Sequence, residues 1–174
     1  PAFQTDTLGI SQSARQREWL GPCDPTCFEY DVLGVLKSSL NARTYIPATD
    51  ELMTLPEVVR LADEVGAILC YAYLGDVADS PTGDKRAEHF EDGCLEELLA
   101  FLRESGVGGV TFMPSRNTHE QLERLMGLCR RFGFTQISGE DINQPRQSFI
   151  CRQLADPMFS HLVAETWRLV GREK

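Results

Sequence analysis

The stretch Thr118–Ser138, THEQLERLMGLCRRFGFTQIS, decides the fold class. Thr118, followed three residues later by Gln121, is a capping box: the hydroxyl accepts from the Gln121 amide and the Gln side chain reaches back. Leu122, Leu125, Met126, Cys129 and Phe132 then recur at helical spacing and form one apolar stripe. Glu120 and Glu123 sit near the start, with Arg130 and Arg131 near the end, which suits the helix dipole. Gly133 stops the helix because glycine readily takes positive φ. Phe134-Thr135-Gln136-Ile137-Ser138 follows as a strand.

The same phrase, helix then Gly then strand, occurs twice upstream. Thr54-Leu55-Pro56-Glu57 is another capping box, with Pro where a missing N–H costs little. Val58, Val59, Ala62 and Val65 give its stripe, Gly66 the stop, and Ala67–Tyr73 the strand. That strand is continuously apolar, as in a parallel sheet covered on both faces. Leu95, Leu98, Leu99 and Leu102 form the middle stripe, which stops at Gly106 and leads into a strand over 107–113. After Asp156-Pro157, an N-cap followed by Pro, a closing helix carries Phe159, Leu162, Val163, Thr166 and Val170. Helices alternating with buried strands predict an α/β fold with parallel strands and right-handed crossovers.

Residues 1–53 read differently, as a mainly loop and helix segment. Residues 10–22 are loop or short helix, and Thr26–Ala42 is a helix bearing Phe28, Leu33, Leu36 and Leu40, weakened by Gly34. No linker separates this segment, so 1–174 is expected to be a single domain, with 54–174 its repeated portion. The 17-residue stretch Asp76–Asp92 is a long polar loop containing Ser80-Pro81-Thr82-Gly83-Asp84.

Composition narrows the partners. A net charge of −9 argues against nucleic acid as the main partner and against an anionic membrane, since both need a basic face. No apolar run approaches the roughly 18 residues of a membrane span. The 42% hydrophobic and 25% charged residues suit a packed core. Six cysteines, Cys23, Cys27, Cys70, Cys94, Cys129 and Cys151, are too sparse for a disulfide framework, so a reducing, cytoplasmic setting is expected. Cys23 and Cys27 have the spacing of half a zinc site, but no second pair completes it. His89, His119 and His161 are isolated. No phosphate loop, nucleophile elbow or zinc-protease helix occurs.

Ligands of parallel α/β folds bind at the carboxyl ends of the strands. That rule selects Ala72–Asp76, Met113–Asn117 and Ser138–Asn143. The third segment offers adjacent carboxylates, Glu140 and Asp141, suited to a cation. Arg116 and Arg146 are suited to carboxylates or a phosphate, with Asp76 at the first strand end. Each also reads as solvated loop or surface charge.

Taken together, the three segments resemble the later half of the PHP (polymerase and histidinol phosphatase) metal-dependent phosphoesterases. Ala67–Gly75, AILCYAYLG, looks like that family's strand ending in Ala-His-Pro-Gly. GVGGVTFMPSRNTHEQ, residues 106–121, looks like its Gly-Val-x-Gly-Ile-Glu-Val strand and Ser-His-Thr-x-Glu-Gln loop. FGFTQISGEDIN, residues 132–143, looks like its Gly-Ser-Asp-x-His terminal motif. The resemblance covers roughly residues 54–150 and implies part of a distorted, seven-stranded, TIM-like β/α barrel. It implies Zn, Mn or Fe at the strand ends, activating water against a phosphoester.

Only some ligand positions carry over. Asp141 matches an aspartate ligand, with Glu140 beside it. Tyr73 and Asn143 stand where His ligands are expected, Thr111 replaces a Glu, and Arg116-Asn117 takes the place of the middle loop's His. The family's opening His-x-His motif is absent from these residues. Phenol and carboxamide are poor replacements for imidazole at a transition metal, so metal binding by this chain is expected to be weak or absent.

Two functional expectations follow. The chain is a portion of a metal-dependent phosphoesterase acting on a small phosphorylated molecule or nucleotide, inactive alone. Alternatively, it is a non-catalytic PHP-derived module binding a small molecule or a partner. A plain α/β domain with idle strand ends is the third reading. A length of 174 residues is short for a barrel of typically about 200 or more. The expectation is therefore a missing amino-terminal half, with Pro1 an internal start, or self-association through open sheet edges.

Overall fold

A computed structural model describes residues 7, 9–21, 24–49, 51–77, 89–143 and 145–172. Cys23, Pro1 and the Ser80–Asp84 loop tip lie outside the described residues. The chain divides into two compact units. One comprises residues 1–47, 77–88 and 142–148; the other comprises 48–76, 89–141 and 149–174.

The first unit contains α1 (Ala14–Leu20) and α2 (Phe28–Thr44). Ser13 and Gln16 form a capping box at the start of α1, with the Gln16 amide donating to Ser13 Oγ at 3.1 Å. Before α2, Asp24 accepts from the Thr26 amide at 3.0 Å. The expected helix is present, but its inward face is Asp31, Gly34 and Val35, while Leu33 is exposed. The expected apolar spacing is rotated because an ion pair with Arg146 recruits Asp31 inward. Its carboxylate is 5% exposed and accepts from Arg146 Nη2 at 2.7 Å. The Arg146 guanidinium also lies 5.1 Å from the Trp19 ring centroid, a cation–π contact.

The second unit holds the repeated portion. Its elements are α3 (Leu55–Val65), β1 (Cys70–Ala72), a 3-10 turn (Asp92–Cys94), α4 (Leu95–Glu104), β2 (Gly109–Phe112), α5 (His119–Phe132) and β3 (Thr135–Ser138). Two further 3-10 turns, Arg152–Ala155 and Pro157–Phe159, lead into α6 (Ser160–Arg172). The helices α3 and α5 and the turn before α6 are bounded for local reasons. The Glu57 carboxylate accepts from the Thr54 hydroxyl and from the Thr54 amide, both at 2.7 Å, and these contacts, the hydroxyl first, hold Glu57 below its ordinary pKa. The Gln121 amide donates to Thr118 Oγ1 at 3.2 Å. Gly66 and Gly133 end α3 and α5 in the left-handed region, at φ 69° and 72°. Asp156 caps the turn at Pro157 by accepting from the Met158 amide at 2.9 Å.

The strands form one parallel sheet in the order β1-β2-β3. Cys70 pairs with Gly109, and Gly109 in turn with Thr135. Gly109 is required at that crossing point, since a Cβ there would lie 2.7 Å from Cys70 Sγ and 3.0 Å from Thr135 O. Among the described residues this is an open three-stranded sheet and not a closed barrel. The strands are shorter than the apolar runs suggested, because the ladder begins only where neighbouring chains come into register.

The core is built on β2. Val110 and Phe112 pack with Leu95, Leu99 and Leu102 of α4, with Leu122, Leu125, Met126 and Cys129 of α5, and with Phe159 and Leu162. Burial pushes the Cys129 thiol up to about 12, so it behaves as a small hydrophobe. In the expected stripe of α3, Val58, Val59 and Ala62 are half-buried and Val65 is exposed. Among the described residues no helix is long and apolar enough to cross a membrane. Cys27, Cys70, Cys94, Cys129 and Cys151 carry free thiols.

Candidate functional site at the strand carboxyl ends

β1 runs out at Tyr73, whose side chain is 1% exposed. Its amide still belongs to the sheet, donating to Thr111 O at 2.9 Å. The Tyr73 hydroxyl donates to Asp92 Oδ1 at 2.5 Å, and the Tyr71 hydroxyl donates to Glu91 Oε1 at 2.6 Å. Burial first, then these carboxylates, push both phenols well above their ordinary values. Both hydroxyls are therefore fixed donors.

The carboxylates complete a reciprocal clasp. Glu91 Oε2 accepts from the Gly75 amide at 2.7 Å, and Asp92 Oδ2 from the Asp76 amide at 3.2 Å. In return, Asp76 Oδ1 accepts from the amides of Phe90, Glu91 and Asp92 at 3.1, 3.0 and 3.4 Å. Gln121 Nε2 reaches from α5 to Asp92 Oδ2 at 2.6 Å and to Asp76 O at 2.9 Å. Arg124 Nη1 donates to Asp92 O at 2.7 Å. Burial alone would raise Asp92, but the bonds from Tyr73, Gln121 and the Asp76 amide outweigh it and hold the carboxyl below its ordinary value.

A second set of contacts ties the three strand ends together. Arg116 Nε and Asn117 Nδ2 both donate to Leu74 O, at 3.0 and 2.7 Å, joining the ends of β1 and β2. Ser115 Oγ donates to Glu140 Oε2, joining the ends of β2 and β3. Two acceptor atoms in this set are buried without a partner, Asn117 Oδ1 and Glu140 Oε1. The Cys151 thiol, raised by burial and by Glu140, lies beside that carboxylate. Its sulfur is a weak donor and meets Gln153 Oε1 at 3.6 Å.

Of the residues expected from sequence, Tyr73 and Asp76 come together in the clasp, and Arg116 and Glu140 in the strand-end set. Asp141 is exposed just beyond β3. Asn143 and Arg146 belong to the first unit. There the Asn143 amide donates to Gln147 Oε1 at 2.8 Å, and Arg146 is engaged by Asp31. Glu91, Asp92, Gln121 and Ser115 were not singled out in advance. The adjacent acids Glu91-Asp92, placed just before the Leu95 stripe, were the available signal.

The metal group implied by the PHP resemblance does not fit these residues. Tyr73 offers a proton, not a lone pair, and its hydroxyl is spent on Asp92. The oxygens of Asp92 and Glu91, and Oδ1 of Asp76, already accept from protein donors, so they brace the backbone. Among the described residues no three His, Cys, Asp or Glu side chains are grouped to hold an ion. No family model, curated protein or solved structure matches this chain.

Proposed function

We propose that the strand carboxyl ends bind a small phosphorylated molecule bearing hydroxyl groups, and that this PHP-like module does so without metal-assisted hydrolysis. The observation that carries this reading is the pair of buried acceptors, Asn117 Oδ1 and Glu140 Oε1, both lacking a partner. A buried acceptor left unmet costs about 1–3 kcal/mol, so a ligand hydroxyl that reaches either atom as the strand-end side chains move aside would be favoured. Arg116 supports an anionic group on the same ligand. Its Nε is spent on Leu74 O, and among the described residues no carboxylate pairs with the guanidinium. Guanidinium donors bind phosphate in a fixed fork. Glycerol 3-phosphate and hexose phosphates are suitable probes. Arg116→Ala is expected to weaken binding about 10–100-fold, the loss of a charge-assisted pair. Equal affinity in the variant would reject the assignment.

A second reading keeps the PHP-type barrel and its chemistry for a longer protein, with Asp141 as a metal ligand. It is favoured by the exposure of Asp141 directly after β3. Metal content measured after preparation with Mn or Zn tests it: less than about 0.1 ion per chain rejects metal binding by these residues.

A further inference from the structure

We propose a second ligand site at the opposite, amino end of the sheet, in a groove that takes a small oxyanion. The groove has a volume of about 300 Å³ and lies between the carboxyl end of α5, the start of β3 and α6. Its polar lining includes Arg130, Thr135, Gln136, His161, Glu165 and Arg168.

The observation that asks for a ligand is Gln136. A carboxamide in the middle of a short buried strand is an expensive choice where Val or Ile would pack. Gln136 is only 7% exposed. Its Oε1 lies 3.2 Å from His161 Nε2 and accepts from the ring in the tautomer that carries the proton there. Among the described residues no acceptor meets its Nε2, so two N–H donors are left for the groove it lines.

Charge selects the class of acceptor. Arg168 Nη1 and Glu165 Oε1 lie 2.6 Å apart and neutralise each other. Arg130 has no carboxylate partner among the described residues. The groove thus carries one uncompensated guanidinium beside the Gln136 donors. The exposed carbonyls at the end of α5 oppose an anion, which limits affinity to roughly the millimolar range. A phosphate and a carboxylate share the chemistry these donors recognise.

The test is titration of the full chain with inorganic phosphate and, separately, succinate, following the Gln136 side-chain amide by NMR. Saturable movement of that resonance is expected with at least one anion, and the stronger binder identifies the headgroup. Arg130→Ala should weaken binding at least about 10-fold, the value of a charge-assisted contact. Gln136→Leu should abolish the calorimetric signal, while its melting temperature shows that the chain remains folded. Arg60→Ala on α3, whose cation pairs with Glu64, should leave binding unchanged. No saturable shift with either anion up to about 20 mM, or an Arg130→Ala variant that binds as the parent does, would overturn the proposal.

Discussion

The Tyr73 hydroxyl and the Asp92 carboxylate are joined at 2.5 Å at the point where β1 ends. A position at which the PHP resemblance calls for an imidazole ligand is thereby turned into a brace between the strand end and the turn before α4. Tyr73→Phe keeps the ring packing and deletes only the donor. We expect a loss of about 1–3 kcal/mol in urea unfolding with an unchanged m-value. A loss below about 0.5 kcal/mol would mean that Gln121 and the Asp76 amide hold Asp92 without it.

Asp92 also predicts an acid dependence. Its folded pKa lies below the ordinary value, despite burial, because three donors face it. Such a group stabilises the fold above the unfolded pKa of about 3.9, and the contribution fades as pH falls through the folded value. The stability gap between the parent and Asp92→Asn should stay level from about pH 7 to 5 and shrink below about pH 4. A gap that widens on acidification contradicts the assignment.

Gly75 sits between the clasp and the strand-end set, at φ +68°. A Cβ there would lie 2.4 Å from Asn117 Nδ2 and 2.7 Å from the Tyr73 hydroxyl. Gly75→Ala combines left-handed strain with displacement of both side chains, and should cost about 2–3 kcal/mol. Because Asn117 would leave Leu74 O, ligand affinity should fall as well. A fully stable Gly75→Ala chain with parental affinity would show that neither contact matters.

In the first unit, Arg146 is the counter-ion of a nearly buried Asp31 and also faces Trp19. Arg146→Ala leaves that carboxylate unpaired and should lower the melting temperature, with a change in Trp19 fluorescence. Adding Asp31→Asn should recover part of the loss, since the stranded charge is then gone. Strictly additive losses would show that the two do not act as a pair.

Helix boundaries were legible because their causes are local. Thr54 with Glu57, Thr118 with Gln121, Gly66, Gly133 and Asp156-Pro157 each act within a few residues. The parallel direction of the strands followed from the same repeat, and their order did not. The site was less legible. Asp92 and Asp76 are 16 residues apart, and Arg146 finds Asp31 across 115 positions. Periodicity carries no information about such pairings. Arg146 therefore read as a phosphate binder, although its charge is spent inside the first unit. Asn117 was visible only as a stand-in for the His of a loop and Gln121 only as a cap residue, and the carboxamide contacts that define the site depend on how the strand ends meet.

The central claim is ligand binding at the strand ends through hydrogen bonds and Arg116, with no metal required. Its most direct test is the melting temperature of metal-stripped chain in excess chelator, titrated with glycerol 3-phosphate and hexose phosphates. At about 100 times Kd a bound ligand adds about 2.7 kcal/mol, which should raise the melting temperature by about 5–10 °C. The account predicts that rise for at least one phosphorylated polyol, and its loss in Arg116→Ala. No rise in chelator, with stabilisation appearing only when Mn or Zn is restored, would contradict it.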